Sequence, residues 1–124
     1  MHELCKQFRF DAAHTLQRDV EPASSRRIHG HSYRAEVAVR GRPAPDSGML
    51  VDLGLLEQAL ANARQRLDHH FLDEVDGLGP ATLENLAAWI WQQLEPHCPG
   101  LWRVTVARDS SGDSCSFFGG PEAA

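Results

Sequence analysis

The 124-residue sequence has few cysteines, no long apolar run and no excess of positive charge. Its three cysteines lack CxxC spacing, which argues against a disulfide framework and against a cysteine-rich zinc site. No apolar run approaches the roughly 20 residues that cross a bilayer, and no signal-peptide core is present, so we expect a cytoplasmic protein without a membrane partner. The net charge of -5 argues against a nucleic-acid partner, since non-specific binding needs a basic surface.

The overall amino-acid composition is that of a folded protein. Hydrophobic residues make up 42% and charged residues 23% of the chain, which is typical of a globular domain rather than a disordered segment. A chain of this length builds one hydrophobic core but not two. We therefore expect a single domain over residues 1–124.

Apolar spacing predicts four strands and two helices. Alternation of apolar and polar residues predicts the strands, and three- and four-residue steps predict the helices. Asp52 and Thr82 are the expected helix N-caps, the first helix ending in Asp68–His70 and the second at Pro96. The strands are expected at residues 3–14, 33–40, 101–107 and 114–118, with a long loop at 15–28. This order predicts an antiparallel α+β domain of two hairpins, with both helices on one face of the sheet.

A histidine pattern suggests a metal site. His29 and His31 project to the same side if they lie on a strand, and pairing of the first two strands brings His14 beside them. Three protein ligands with one open position are typical of catalytic zinc. The same spacing also occurs on ordinary surface strands, so spacing alone leaves both interpretations open.

Two further groups have both a structural and a functional interpretation. Asp68 followed by His69 is typical of a carboxylate that orients a general base, but histidines at a helix C-terminus also stabilise the helix dipole. Thr82 and Glu84 are fully explained as a helix cap and an acidic first turn.

Several motifs in collinear order resemble the 6-pyruvoyl-tetrahydropterin synthase and 6-carboxy-tetrahydropterin synthase family. The resemblance extends from Phe8 to about Phe118. The motifs that carry it are FDAAH at 10–14, HGHSY at 29–33, GMLVDLGLL at 48–56, RLDHHFL at 66–72, ATLENLAAWIW at 81–91 and CSFF at 115–118.

This resemblance implies a tunnelling fold, in which a four-stranded antiparallel sheet with two helices on one face assembles around a barrel into homotrimers and hexamers. It implies a lyase that acts on 7,8-dihydroneopterin triphosphate, in bacteria on the route to queuosine. It also implies that His14, His29 and His31 hold Zn2+ as a Lewis acid for the substrate's hydroxyl groups. Asp68 and His69 match the proton-transfer pair, which acts across a subunit interface, and Thr82 matches a position in the pterin pocket.

Two positions depart from the family pattern. Ser25 stands where the family has a base cysteine, and a hydroxyl is far less acidic than a thiol of pKa about 8.5. Arg26 stands where one branch has glutamate. The glutamate that binds the pterin's guanidine-like edge is matched by Arg108 without a gap, or by Asp109 after a one-residue shift. Asp109 accepts hydrogen bonds, whereas Arg108 only donates them.

These departures leave three hypotheses. The chain is a pterin synthase in which His69 or zinc-bound hydroxide replaces the cysteine, with Ser25, Asp68 and His69 as the catalytic candidates. Alternatively, it is a zinc enzyme of the same fold on another substrate, with Arg26, Arg27 or Arg108 indicating an anion. The third hypothesis is a metal- and pterin-binding protein without turnover.

Overall fold

Four strands and two helices form the described part of the chain, which comprises residues 1–16, 19, 23 and 26–119 of a computed structural model. A short 3₁₀ turn follows each helix, at Leu72–Glu74 and Glu95–His97. In chain order the elements are β1 (His2–His14), β2 (His29–Gly41), α1 (Leu53–Gln65), α2 (Leu83–Leu94), β3 (Leu101–Arg108) and β4 (Asp113–Phe117).

The four strands form one antiparallel sheet in the order β1-β2-β3-β4. The predicted strand, strand, helix, helix, strand, strand order is therefore confirmed. The first strand has the predicted extent to within one residue. β2 is longer than predicted, because it already begins at His29, which pairs with His14 at the end of β1. The predicted loop over residues 15–28 falls largely outside the described residues.

One face of the sheet carries the core. Alternate residues of β1 and β2 are buried where the strands meet the helices, and Phe10 stacks on Tyr33 with ring centroids 4.9 Å apart. Side chains of both helices complete the same core cluster, including Leu56, Leu60, Leu86 and Ile90. Both helices thus cover one sheet face, because their apolar stripes must be buried against the inward residues of the strands.

Both predicted helix caps are confirmed. The Asp52 carboxylate accepts from the backbone N–H of Gly54 at 2.8 Å, and the Thr82 hydroxyl accepts from the N–H of Asn85 at 3.1 Å. Each bond satisfies a backbone donor that has no partner within its helix. No helix among the described residues is long and apolar enough to cross a membrane.

The segment after α1 departs from the prediction. The helix ends at Gln65, so Asp68–His70 does not lie on it but follows in a turn. The Asp68 carboxylate accepts from the N–H of Asp11 at 2.9 Å, and the N–H of His69 donates to the carbonyl oxygen of Asp11 at 2.7 Å. The turn is thus attached to the free edge of β1, and its histidines follow the helix instead of ending it.

Candidate metal centre and adjoining cavity

His14, His29 and His31 lie together on the inward face of the sheet. His14 is paired with His29 across the strands, and His31 lies two residues further along β2 on the same side. Their ring centroids are 4.6–5.0 Å apart, and one ligand nitrogen from each residue lies within 4.8 Å of the others. The antiparallel register therefore brings the three predicted ligands together.

Backbone hydrogen bonds orient two of these imidazoles. Nδ1 of His14 lies 2.9 Å from the carbonyl oxygen of Ala81, and Nδ1 of His29 lies 2.7 Å from that of Arg27. A carbonyl only accepts, so each Nδ1 carries the proton and each Nε2 keeps its lone pair. His14 Nε2 is buried and has no hydrogen-bond partner in the part of the chain that the structure describes.

Burial also keeps two of the histidines neutral. It is the main cause that lowers the pKa of His14, and it lowers the pKa of His31 to about 4, to which the nearby His14, Arg108 and His29 contribute. Neutral imidazole is the form that binds metals.

These observations show that the residues fit a metal ion. Three imidazoles converge, two have oriented lone pairs, and the buried Nε2 of His14 lacks any other partner in the described structure. Three histidine ligands suit zinc, although imidazole nitrogen also binds other transition metals.

A cavity of about 390 Å³ adjoins the histidines. His14 and Tyr33 line it, together with Thr82 and Glu84 at the start of α2 and Arg108 at the end of β3. Of the two residues matched to the family glutamate, only Arg108 lines this cavity. Asp109 instead forms ion pairs with Arg9 at 3.3 Å and Arg34 at 3.0 Å.

Asp68 and His69 lie beside a second, open cleft of about 650 Å³, which is lined by His69 and also by His31. The Asp68 carboxylate lies 3.1 Å from Arg64 and 3.7 Å from Nδ1 of His69. The hydrogen bond from the Asp11 N–H is the main cause that lowers the pKa of Asp68. The His69 side chain is 80% exposed, and its backbone has a φ of 58°, which is uncommon for a residue other than glycine.

Ser25 lies outside the residues that the structure describes. Arg26 and Arg27, which follow it and were considered as binders of an anionic substrate, are exposed.

Two polar residues of the cavity were not predicted from the sequence. Tyr33 is 2% exposed, and its hydroxyl has no partner among the described residues. Its alternation with His31 on β2 was a usable signal, since residues two apart on a strand face the same side. Asp113 contacts Arg108 at 3.0 Å, a pairing that depends on the length of the β3–β4 turn and has no local sequence signal.

Comparison with known proteins identifies relatives across most of the chain. The model of the family described as 6-pyruvoyl tetrahydropterin synthase matches residues 3–119. A 6-carboxy-5,6,7,8-tetrahydropterin synthase from Synechocystis is 37% identical over 107 residues, covering 82% of this chain and 81% of that protein. A dihydroneopterin monophosphate aldolase from Pyrococcus furiosus is 31% identical over 91 residues, covering 73% of each chain.

A solved structure shows the same fold. The 6-pyruvoyl tetrahydropterin synthase of Caenorhabditis elegans superposes with a TM-score of 0.82 over 96% of both chains, at 24% identity. This likeness confirms the predicted tunnelling fold. Since the family model and the Synechocystis relative both cover most of the sequence, the chain belongs to the 6-pyruvoyl tetrahydropterin synthase family.

Proposed function

We propose that the chain is a zinc-dependent lyase that acts on 7,8-dihydroneopterin triphosphate, as a synthase of the 6-carboxy- or 6-pyruvoyl-tetrahydropterin type. The observation that carries this proposal is the convergence of His14, His29 and His31 beside a cavity in a chain of this family. The name of the Synechocystis relative, which covers most of the chain, supports the 6-carboxy product. In that case the chain serves the route to queuosine, and we expect it in the cytoplasm.

His14, His29 and His31 would hold the zinc ion through one nitrogen each. Bound zinc would supply a Lewis acid that polarises the hydroxyl groups of the substrate's side chain. The carbonyl oxygens of Ala81 and Arg27 hold the first two rings in the ligating tautomer. Such outer hydrogen bonds fix the ring orientation and raise the basicity of a metal ligand.

His69 is the proposed proton-transfer residue. Its exposed imidazole is accessible to a substrate, and Asp68 is anchored by Asp11 and Arg64 so that its charge faces the ring. A carboxylate near an imidazole stabilises the protonated form, which is the state His69 reaches after it accepts a proton from the substrate. Because this side chain points outward, we propose that it serves the site of a neighbouring subunit in a homotrimer or hexamer.

Ser25 occupies the position of the family's base cysteine, and we propose that the reaction proceeds without a thiolate. A serine hydroxyl is a poor proton acceptor without strong activation. The proton-transfer role then rests on Asp68 and His69. Thr82 and Arg108 are the proposed substrate-binding residues, since both line the cavity beside the histidines. Asp109 has a weaker claim, because two arginines already pair with it.

A second candidate is a zinc enzyme of the same fold on another substrate. The Pyrococcus relative favours it, because that protein is named for an aldolase reaction of dihydroneopterin monophosphate. The test is to incubate zinc-loaded protein with the triphosphate and, separately, with the monophosphate, and to identify the products by mass. We expect triphosphate release and a tetrahydropterin product, with Ser25→Ala as active as the wild type. Turnover of the monophosphate alone would replace the first candidate by the second.

A further inference from the structure

Arg108 lies where the histidine cluster meets the cavity. Its Nη1 is 3.4 Å from Nε2 of His31, and its side chain is 22% exposed. Arg108 is the cross-strand partner of Asp113, and its Nη2 donates to that carboxylate at 3.0 Å. The Ser111 hydroxyl donates to the same carboxylate oxygen at 2.9 Å. The Nη2 of the guanidinium is therefore anchored, while its Nη1 lies beside His31 and the residue lines the cavity.

Two residues in the wall of this cavity carry buried donors without partners among the described residues. Nε of Arg108 and the hydroxyl of Tyr33 are both buried, and neither has a hydrogen-bond partner among the described residues. The oxygen of Thr82 accepts from Asn85, which leaves its own O–H free to donate. Buried donors without partners are costly, so this wall favours a ligand that presents acceptors.

Asp113 also affects which acceptors fit. Its carboxylate neutralises much of the charge of Arg108, since the two groups are 3.0 Å apart. A guanidinium that is already paired with a carboxylate attracts a second anion weakly but keeps its directional N–H groups. The arrangement therefore suits neutral acceptors that lie side by side better than it suits a phosphate.

The ring of a 7,8-dihydropterin carries such a pair. Its O4 and its imine N5 are adjacent acceptors, in the same relation as O6 and N7 of guanine, which arginine contacts with two hydrogen bonds. The opposite edge of the ring, with N3–H and the 2-amino group, carries donors that a guanidinium repels. N5 is also adjacent to C6, which bears the side chain that must reach the histidines. A ring held by O4 and N5 at Arg108 thus keeps its side chain at the metal site.

We propose that Arg108 binds the pterin ring by its O4 and N5 acceptors, and that this chain selects its ligand by that edge rather than by the donor edge. This inference rests on the proposed function, because it takes a pterin as the substrate class. It makes Arg108 a specificity-determining residue, with Asp113 as the residue that positions it. Lysine is not an equivalent replacement, since an ammonium group lacks the planar pair of donors.

The test compares the binding of three stable ligands to zinc-loaded wild-type protein by titration calorimetry. The ligands are neopterin, 5-deazaneopterin, in which a C–H replaces N5, and 2-desaminoneopterin, which lacks the amino donor. We expect the wild type to bind 5-deazaneopterin about tenfold or more weakly than neopterin, the range of one bidentate contact. Loss of the amino group should weaken binding by less than about threefold. Glu84 lines the same cavity and could accept from that amino group, but it is exposed, so such a hydrogen bond competes with water.

Variants locate the effect at Arg108. In Arg108→Met the preference for neopterin over 5-deazaneopterin should disappear, and Arg108→Lys should recover only part of it. Zinc content and melting temperature of each variant establish that the site is intact. The comparison of ligands on the wild type needs no variant, so a variant that fails to fold leaves the test decisive.

The outcomes separate the two proposals. If the wild type binds neopterin and 5-deazaneopterin equally but loses 2-desaminoneopterin, the ring is held by its donor edge and the inference about Arg108 is overturned, while the proposed function stands. If the zinc-loaded wild type does not bind neopterin, a pterin is not its ligand, and the proposed function and this inference both fail.

Discussion

His14 donates a hydrogen bond of 2.9 Å from Nδ1 to the carbonyl oxygen of Ala81. This bond connects the end of β1, which carries a proposed metal ligand, to the residue just before Thr82, the N-cap of α2. His14 is 1% exposed, so the bond lies in the protein interior. One imidazole therefore serves both the proposed metal site and the packing of the helix that lines the cavity.

Replacement of His14 by alanine should weaken both roles. The Ala81 carbonyl would lose its buried partner, which costs about 1–3 kcal/mol of stability in metal-free protein. The proposed site would keep only two of its three ligands, so zinc affinity should fall sharply. Chemical denaturation without metal measures the first effect, and zinc titration against a chelator measures the second.

The matched control is His97→Ala, which removes an exposed histidine that is not in the cluster. It should change neither quantity. Equal zinc affinity of wild type and His14→Ala would show that the three histidines do not form the metal site.

Removal of the metal should abolish activity but preserve the fold. The core of apolar side chains between the sheet and the helices is contiguous and contains none of the three histidines. A ligand that binds only the native state adds stability by mass action, so the melting temperature should rise with zinc concentration. Circular dichroism of chelated protein checks this prediction. Loss of the β-sheet signal on chelation would mean that the metal is needed for folding.

Acid should remove a contribution that Asp68 makes to stability. The N–H of Asp11 is the main cause that lowers the pKa of Asp68 below its ordinary value of 3.8, and Arg64, His69 and His70 add to it. A carboxylate with a lowered pKa in the folded state stabilises above its unfolded pKa, and this stabilisation is lost as the pH falls through the folded value.

Asp68→Asn should therefore cost about 1–2 kcal/mol at pH 7, and the difference from wild type should shrink as the pH falls below about 4. Urea unfolding of both proteins at several pH values measures this difference in the free energy of unfolding. Asp46→Asn, in an exposed turn, is the control. A difference that stays constant down to pH 2 would contradict a role for the charge.

Substitutions of His69 should abolish most of the activity without a matching loss of stability. Its φ of 58° costs a residue with a Cβ about 1 kcal/mol, a strain that glycine does not have. His69→Gly should thus be at least as stable as His69→Ala, while both lose most of the triphosphate release. His70→Ala, in which the neighbouring exposed ring is removed, should stay active. Retained turnover in His69→Gly would exclude this imidazole from proton transfer.

Local signals in the sequence were enough to predict most of the fold. Strand alternation predicted the inward face of β2, which carries Tyr33, Ala35, Val37 and Val39. Asp52 and Thr82 were identifiable as caps because their short side chains accept from the first helical turn. The histidine cluster was predictable for the same reason, since strand alternation and hairpin pairing are regular.

The remaining features depend on long-range contacts. α1 ends at Gln65, and the turn that follows is bonded to Asp11 of β1, a contact that no local pattern encodes. The choice between Arg108 and Asp109 also needed the structure. Arg108 ends β3 and lines the cavity, whereas Asp109 lies in the turn that follows and forms ion pairs with two arginines.

Triphosphate release from 7,8-dihydroneopterin triphosphate by zinc-loaded protein is the most direct test of the proposed function. Wild type, His69→Ala and Ser25→Cys should be compared at equal zinc content. We predict that the wild type releases triphosphate without a cysteine at position 25, and that His69→Ala does not release it. A silent wild type beside an active Ser25→Cys would show that this chain has the fold and pocket of its family but does not catalyse that reaction.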